Sequence, residues 1–311
     1  MDTSNSSSKL NVQKPCLKWV GGKTQILGPV ISKFPNVMNN YHEIFLGGGS
    51  VLLALLGLQK EGKIKIRKKI YANDSNKGLI NVFKSIQQDP SKLYECISSY
   101  VSIYDKIIGN IINRKPDNME EAQSSKESYY FWLRNRFNEF VIDKNTTSIE
   151  HAAMFMFLNK TGFRGMYREG PKGFNVPFGH YKTTPTIATQ EDLMNISELI
   201  KNVIFTCQDF EDSMAIVKKG DFVYLDPPYV PENASSFVKY NVDGFNFDTH
   251  KRLFHNVHKI HNKGSKFVLN NANVELVNEE FKDFTSELLE TKRAINCKNP
   301  GSTTTEIIIY M

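Results

Sequence analysis

The tetrapeptide Asp226-Pro227-Pro228-Tyr229 concentrates the most chemistry in the chain. It follows an apolar run, residues 222–225, that reads as a buried strand. Two successive prolines fix φ, remove two backbone donors and hold the residues before them extended, so the carbonyls there are not consumed by a helix. The result is a rigid acceptor platform: a carboxylate from Asp226, a second acceptor from the Pro227 carbonyl and an aromatic face from Tyr229. Such a platform suits a planar group bearing an NH2, the edge of adenine for instance. A proline-rich turn with an exposed acid is the plainer reading of the same residues.

A second constellation is Phe45-Leu46-Gly47-Gly48-Gly49, where a short strand (residues 41–46) runs into a Leu-rich helical stretch. Glycines at a strand-to-helix turn let unpaired backbone N–H groups approach a ligand closely. In such folds a carboxylate ending the next strand can bind both hydroxyls of a ribose, and Asp74 stands 25 residues beyond Gly49, near the roughly 20 expected. Nucleoside binding is the expectation, with a purely structural glycine turn as the alternative because the full GxGxxG is absent. Gly21-Gly22-Lys23-Thr24 looks like the end of a P-loop, but the first glycine of GxxxxGK[ST] would fall at position 17, which is Leu17. Spacing therefore excludes a nucleoside triphosphatase and leaves Lys18-Trp19 beside the diglycine to be explained otherwise.

The elements that must position these residues follow from periodicity. Ile26, Val30, Ile31 and Phe34 recur at helical spacing up to Pro35. A second strand ends at Asp74 and residues 77–87 look helical, so the chain begins β-α-β-α, as parallel sheets with crossover helices do. Residues 90–160 are helical in pattern, and residues 161–186 have many glycines and little period. Strands are read at 203–206, 222–225, 266–269 and 306–310, with a helix at 250–261. The simplest account is an α/β sheet domain made from residues 14–88 and 187–311, a mostly helical insertion at 89–186, and a Ser/Asn/Lys-rich arm at 1–13.

Composition narrows the class. The 311 residues carry a formal charge of +6 with 40% apolar and 23% charged residues, which excludes a disordered or collagen-like chain and permits an anionic partner. The longest apolar run, residues 51–58, is far short of the roughly 20 needed to span a bilayer, so no membrane association is expected. The start has neither a basic region nor an apolar core, so no secretory signal is expected. Cys16, Cys96, Cys207 and Cys297 are too few and too scattered for a disulfide scaffold or a CxxC-type zinc site, which points to a reducing, intracellular compartment. His255, His258 and His261 recur every three residues but lack an HExxH arrangement or an evident carboxylate partner; no metal is expected.

Residues 160–182 carry five bases (Lys160, Arg164, Arg168, Lys172, Lys182) against one acid, Glu169, with five aromatics among five glycines. Basic side chains with interleaved aromatics suit phosphate contact and base-edge reading. A solvated cationic loop over buried aromatics is the alternative.

Lys18-Trp19-Val20-Gly21-Gly22-Lys23, Phe45-Leu46-Gly47-Gly48-Gly49-Ser50, Asn73-Asp74, Asn175-Val176-Pro177-Phe178-Gly179 and Asp226-Pro227-Pro228-Tyr229 stand in an order that resembles Dam-type (D12 class, group alpha) DNA adenine-N6 methyltransferases. The resemblance runs from about Lys14 to the C-terminus. It implies a Rossmann-like S-adenosylmethionine-dependent methyltransferase sheet with an inserted DNA-recognition domain. It further implies S-adenosyl-L-methionine as donor, S-adenosyl-L-homocysteine as product, and double-stranded DNA as partner of a monomer or weak dimer. On these motifs the donor falls to Trp19, Gly22, Lys23, Phe45, Gly47, Gly49, Asp74 and Asp226, with Asp209 and Phe210 along its adenine. Asp226, Pro227 and Tyr229 are the implied catalytic residues, acting on a flipped adenine. The implied DNA contacts are Arg164, Met166, Arg168, Lys172, Pro177 and Tyr181, together with Ser236 and Tyr240 beyond the tetrapeptide. Asn271 resembles a position on the pocket floor.

An arginine in the major groove can pair with guanine and an apolar side chain can meet the thymine methyl; of the two arginines, Arg168 is assigned the base contact. Arg164 departs from the GATC-methylating members, which usually carry asparagine there, so the expected site is a short palindrome containing adenine, GATC or the CATG rival. Two competing readings remain: an RNA or protein-amide methyltransferase of the same fold, and a DNA-binding module whose methylation site has decayed. The intact Asp226, Asp74 and Gly47-Gly48-Gly49 speak against the latter.

Overall fold

Seven strands build the central sheet of the computed structural model, which describes residues 12–142, 145–231, 245–292 and 303–311. They are β1 (Tyr41–Glu43), β2 (Ile70–Asn73), β3 (Val203–Thr206), β4 (Phe222–Leu225), β5 (Lys266–Ala272), β6 (Thr285–Lys292) and β7 (Thr303–Tyr310). Their spatial order is β6-β7-β5-β4-β1-β2-β3. The pairs β1–β2, β2–β3, β1–β4 and β4–β5 are parallel, whereas β7 lies antiparallel to both β5 and β6. The chain winds outward from β1 through β2 to β3 and then returns to lay β4 beside β1. In an open sheet the strand order reverses at such a point, and ligands bind beyond the carboxyl ends of the two strands there. The glycine turn follows β1 and the diproline follows β4, so both motifs stand at that crevice.

Alternation along the strands divides the core into two layers. Tyr41, Phe222, Tyr224, Val268 and Ile308 enter one buried cluster, while Val223, Leu225, Phe267, Leu269, Ile307 and Ile309 enter the other. The first cluster also takes in the helices that follow β1 and β2, namely α2 (Ser50–Lys60) and α3 (Lys77–Gln88); the short α1 (Leu27–Ile31) precedes them. It continues without a break into α4 (Pro90–Lys106), α6 (Lys126–Ile142) and α7 (Ile149–Thr161) through Leu93, Tyr129, Phe155 and Phe157. A one-turn α5 (Met119–Ala122) and then α8 (Gln190–Ile200) complete that side. The second layer is closed by α9 (Phe210–Ala215), α10 (Phe247–Asn262) and α11 (Glu275–Glu280). Side-chain oxygens of Asn76, Asp89, Ser148 and Thr189 accept the free N–H groups at four of these helix starts.

The α/β expectation holds, with three departures. The helix expected from Ile26 shrinks to Leu27–Ile31, because a 3-10 turn precedes it and the Ser32 hydroxyl takes the Pro29 carbonyl. The first strand stops at Glu43 rather than Leu46: the Leu46 N–H goes to the Asn73 carbonyl and the Gly49 N–H to Leu46, which already makes the turn. β6 was not anticipated, since an edge strand reading Thr-Ser-Glu-Leu-Leu-Glu-Thr-Lys carries too much charge to show strand alternation. No helix among the described residues is long and apolar enough to cross a membrane.

Gly49 caps α2 at φ +75°, and a Cβ there would stand 2.8 Å from the Phe83 ring. Gly57, inside α2, has open space around it. Gly49→Ala is expected to destabilise the protein by about 1–3 kcal/mol, and Gly57→Ala to stabilise it by about 0.5–1 kcal/mol. Chemical denaturation of the two variants checks both signs.

Candidate active site

The turn after β1 is held from three directions. Gly47 (φ +49°) donates its N–H to Asp74 Oδ2 at 3.0 Å, and Asn76 donates to Oδ1 at 2.9 Å. Asp74 thus ties the end of β2 to the glycine turn; burial raises its carboxyl, and the N–H bonds pull it back. Each oxygen keeps a further lone pair for a hydroxyl donor. Trp19 lies across the turn so closely that a Cβ on Gly47 or Gly48 would meet it at 2.9 or 3.0 Å. Asn73 fastens the neighbouring strand, accepting from Thr206 and from the Gln208 N–H.

Lys23 reaches from the first motif into the center of the site. Only 5% exposed, its Nζ stands 2.8 Å from Asp226 Oδ2, donates to the Gly21 carbonyl at 2.8 Å and lies 5.0 Å above the Tyr229 ring centroid. The sequence assigns Lys23 to the donor; the structure adds the direct ion pair with Asp226. Gly22 supports this loop by donating to the Trp19 carbonyl. The other Asp226 oxygen, Oδ1, is buried and has no hydrogen-bond partner among the described residues. Burial raises the Asp226 carboxyl and Lys23 opposes that rise.

The same face of the sheet carries groups that sequence reasoning missed. Glu43 on β1 accepts the Tyr41 hydroxyl at 2.6 Å, and burial pushes its carboxyl up to about 8. Tyr224 on β4 and Asn270 on β5 are buried, with the Tyr224 hydroxyl and both Asn270 amide atoms unpartnered among the described residues. Tyr229 donates its hydroxyl to Glu306 Oε2 at 2.7 Å. Glu306 was discoverable as a lone acid heading the apolar run of residues 307–310; Glu43 carries no such signal. Asn271 accepts the N–H groups of Val230 and Ala272, and so pins the tetrapeptide's tail to β5.

Beyond the glycine turn, Phe45, Phe210 and Phe245 form an aromatic trio with centroids 5.9–6.0 Å apart. Asp209 caps α9 by accepting the Glu211 N–H and pairs with Arg252, whose guanidinium lies 4.5 Å above Phe210. Asp209 is therefore already engaged at the rim of that trio.

The basic segment forms a short hairpin, Glu169–Gly170 against Gly173–Phe174. Arg168 is exposed, and Asn175 holds it through Oδ1 (2.6 Å from Nε) and its carbonyl (3.3 Å). Lys172 at the tip and Pro177 are exposed; Met166 is half-buried against the core below. Arg164, also exposed, takes a left-handed φ of 56° with its guanidinium 5.1 Å above Phe163. Tyr181 donates to the Gly162 carbonyl and carries the Lys18 ammonium over its ring. Trp19 stacks on Tyr167 at 5.9 Å, which joins this segment to the glycine turn. Ser236, Tyr240 and Cys297 lie outside the described residues. His258 does meet a carboxylate, Glu280 at 3.0 Å, contrary to the expectation from sequence; no group of three metal-binding side chains occurs among the described residues.

A crevice at the switch point, a glycine turn clasped by an acid and a carboxylate fixed by two prolines are the features of a nucleotide-binding site on an α/β sheet. Residues 19–295 match the family described as D12 class N6 adenine-specific DNA methyltransferase, and the chain belongs to it. It is similar to the type II methyltransferase M.MjaIII of Methanocaldococcus jannaschii, with 36% identity over 294 residues, 92% of this chain and 93% of that one. It is also similar to the type II methyltransferase M1.LlaDCHI of Lactococcus lactis subsp. cremoris, at 32% identity covering 97% and 96%. The DNA adenine methylase of Escherichia coli (strain K12) shares 25% over 90% and 88% of the two chains.

The buried Glu43 carboxyl gives a stability signature. Between its ordinary value of 4.5 and about 8 the folded protein keeps a proton that the unfolded chain releases. This contribution therefore falls as pH rises through that window and is flat above it. Thermal melts of Glu43→Gln and wild type from pH 5 to 8.5 should show the variant gaining on wild type as pH rises. A constant difference across the range would exclude this assignment.

Proposed function

We propose that this enzyme transfers a methyl group from S-adenosyl-L-methionine to N6 of an adenine flipped out of a short palindromic DNA site, GATC or CATG. The observation that carries the reading is the division of labour at Asp226: Oδ2 is committed to Lys23, while Oδ1 is a buried acceptor without a partner among the described residues. A buried acceptor left unmatched costs about 1–3 kcal/mol, and an amino hydrogen meets that need. In this reading residues 14–88 and 187–311 perform the chemistry, and residues 89–186 read the DNA.

The exocyclic nitrogen of adenine is a poor nucleophile because its lone pair is delocalised into the ring. Asp226 Oδ1 and the Pro227 carbonyl accept its two N–H bonds, which draws the nitrogen toward a tetrahedral arrangement with its lone pair pointing away from both acceptors. Lys23 favours the ionised form of Asp226, so the carboxylate opposes the positive charge that grows on N6, and the surplus N6 proton leaves through it to solvent as the methyl is gained. Positioning and electrostatics supply the rate enhancement, with no covalent intermediate on the protein. The donor contributes an electrophilic methyl on a sulfonium. The spare lone pairs of Asp74 and the aromatic surface of Phe45 and Phe210 fit its ribose and adenine parts. N6 is unreachable inside a duplex, so the base leaves the stack and lies against Tyr229.

Arg168 spends two donor contacts on Asn175 and retains others for a guanine edge. Arg164 and Met166 enter the major groove with it, Met166 as the apolar partner of a thymine methyl, and Lys172, Pro177 and Tyr181 flank them as further DNA contacts.

Asp226→Ala should abolish methylation while calorimetric donor affinity stays within about threefold of wild type. Turnover retained to that same degree in the variant would refute the role given to Asp226. Arg168→Ala should relax or lose one base position of the target. Sequencing of DNA methylated by the variant reads this directly, and a site preference equal to that of wild type would remove Arg168 from recognition.

A further inference from the structure

The Asp226 platform has a fixed point on a strand remote in sequence. Glu306 stands at the head of the apolar run of β7 and pairs in register with Ala272 of β5 on one side and Leu289 of β6 on the other. Two residues along, Ile308 enters the same buried layer as Tyr224, so alternation turns Glu306 to the face on which Asp226 stands. There its Oε2 accepts the Tyr229 hydroxyl at 2.7 Å. Above the Tyr229 ring lies the Lys23 ammonium at 5.0 Å, and that ammonium pairs with Asp226 at 2.8 Å. The contacts form an unbroken chain from a strand backbone to the reacting carboxylate: Glu306, Tyr229, Lys23, Asp226.

A phenol without an anchor at its hydroxyl is free to turn about its side-chain bonds. Anchored by a charged acceptor, it presents one fixed plane, and charge-assisted hydrogen bonds of this kind are the stronger class. We infer that Glu306 is a positioning residue for methyl transfer: its carboxylate locks the Tyr229 ring, and the locked ring fixes both the surface offered to the extruded base and the seat of Lys23 beside Asp226. This rests on the proposed role of the tetrapeptide. Glu306 itself touches no reacting atom, so its loss is felt chiefly in turnover.

The test uses the full chain, labelled S-adenosylmethionine and unmethylated plasmid DNA. Glu306→Ala and Tyr229→Phe should each lower kcat about tenfold, with KM for donor and DNA unchanged, as removal of an interaction felt only at the reacting geometry requires. The double variant should lose less than the product of the two single losses, because the substitutions share the Tyr229–Glu306 bond. Glu306→Gln, which keeps an acceptor at the same place, should recover most of the loss. Wild-type kcat in Glu306→Ala, or losses that multiply in the double variant, would overturn the role. Should Glu306→Ala not fold, Tyr229→Phe decides alone, since it deletes one oxygen; unchanged turnover in it is equally fatal. Asp226→Ala run alongside separates the two ideas: activity retained there sinks the tetrapeptide reading, whereas activity lost there and retained in Glu306→Ala sinks only the positioning role.

Discussion

The ion pair between Lys23 and Asp226 sets the terms for the rest of the molecule. Its members come from a loop before the first strand and from the end of the fourth, and both are taken largely out of water. Charges in that position are tolerated only when each remains paired, and removing one partner strands the other at a cost of several kcal/mol. The sheet order answers this requirement. Placing β4 against β1 brings the diproline beside the glycine turn, and the Trp19–Lys23 loop closes over both. The pair leaves one carboxylate oxygen uncommitted, which is the asymmetry that a substrate amino group can use.

Much of this was legible in the sequence because it rests on local grammar. The diproline, the triple glycine and the strand-end Asp74 announce their backbone geometry through residue type, and residues 222–225 show the uniform apolarity of a central parallel strand. What escaped notice depends on register. Nothing near Glu43 or Glu306 in the chain says that their strands bring them to Asp226, and β6 was hidden by the charges that an exposed edge needs. Asn159 is another such case: its amide binds both the N–H and the carbonyl of Lys18, 141 residues away, a contact that only the folded chain reveals.

The insertion is not packed as a separate body. Leu52 and Phe83 beside the sheet, and Tyr129, Phe155 and Phe157 in the inserted helices, belong to one buried cluster. Interiors packed at crystal-like density transmit displacement poorly by compression and well by rigid movement. The helices of residues 126–161 therefore hold the root of the basic hairpin rigidly against the rest of the chain.

Trp19 spans the junction between the two halves of the site. One side of its indole covers Gly47 and Gly48, another stacks on Tyr167, and Asn159 clamps the preceding residue while also binding the Gly165 carbonyl. The hairpin is consequently not an interchangeable cassette. A loop grafted from a relative with a different target would have to import an aromatic at the Tyr167 position and a residue without a side chain at Gly165, where a Cβ would strike Lys18. Substitution is thereby accommodated at the exposed tip and resisted at the hairpin's root.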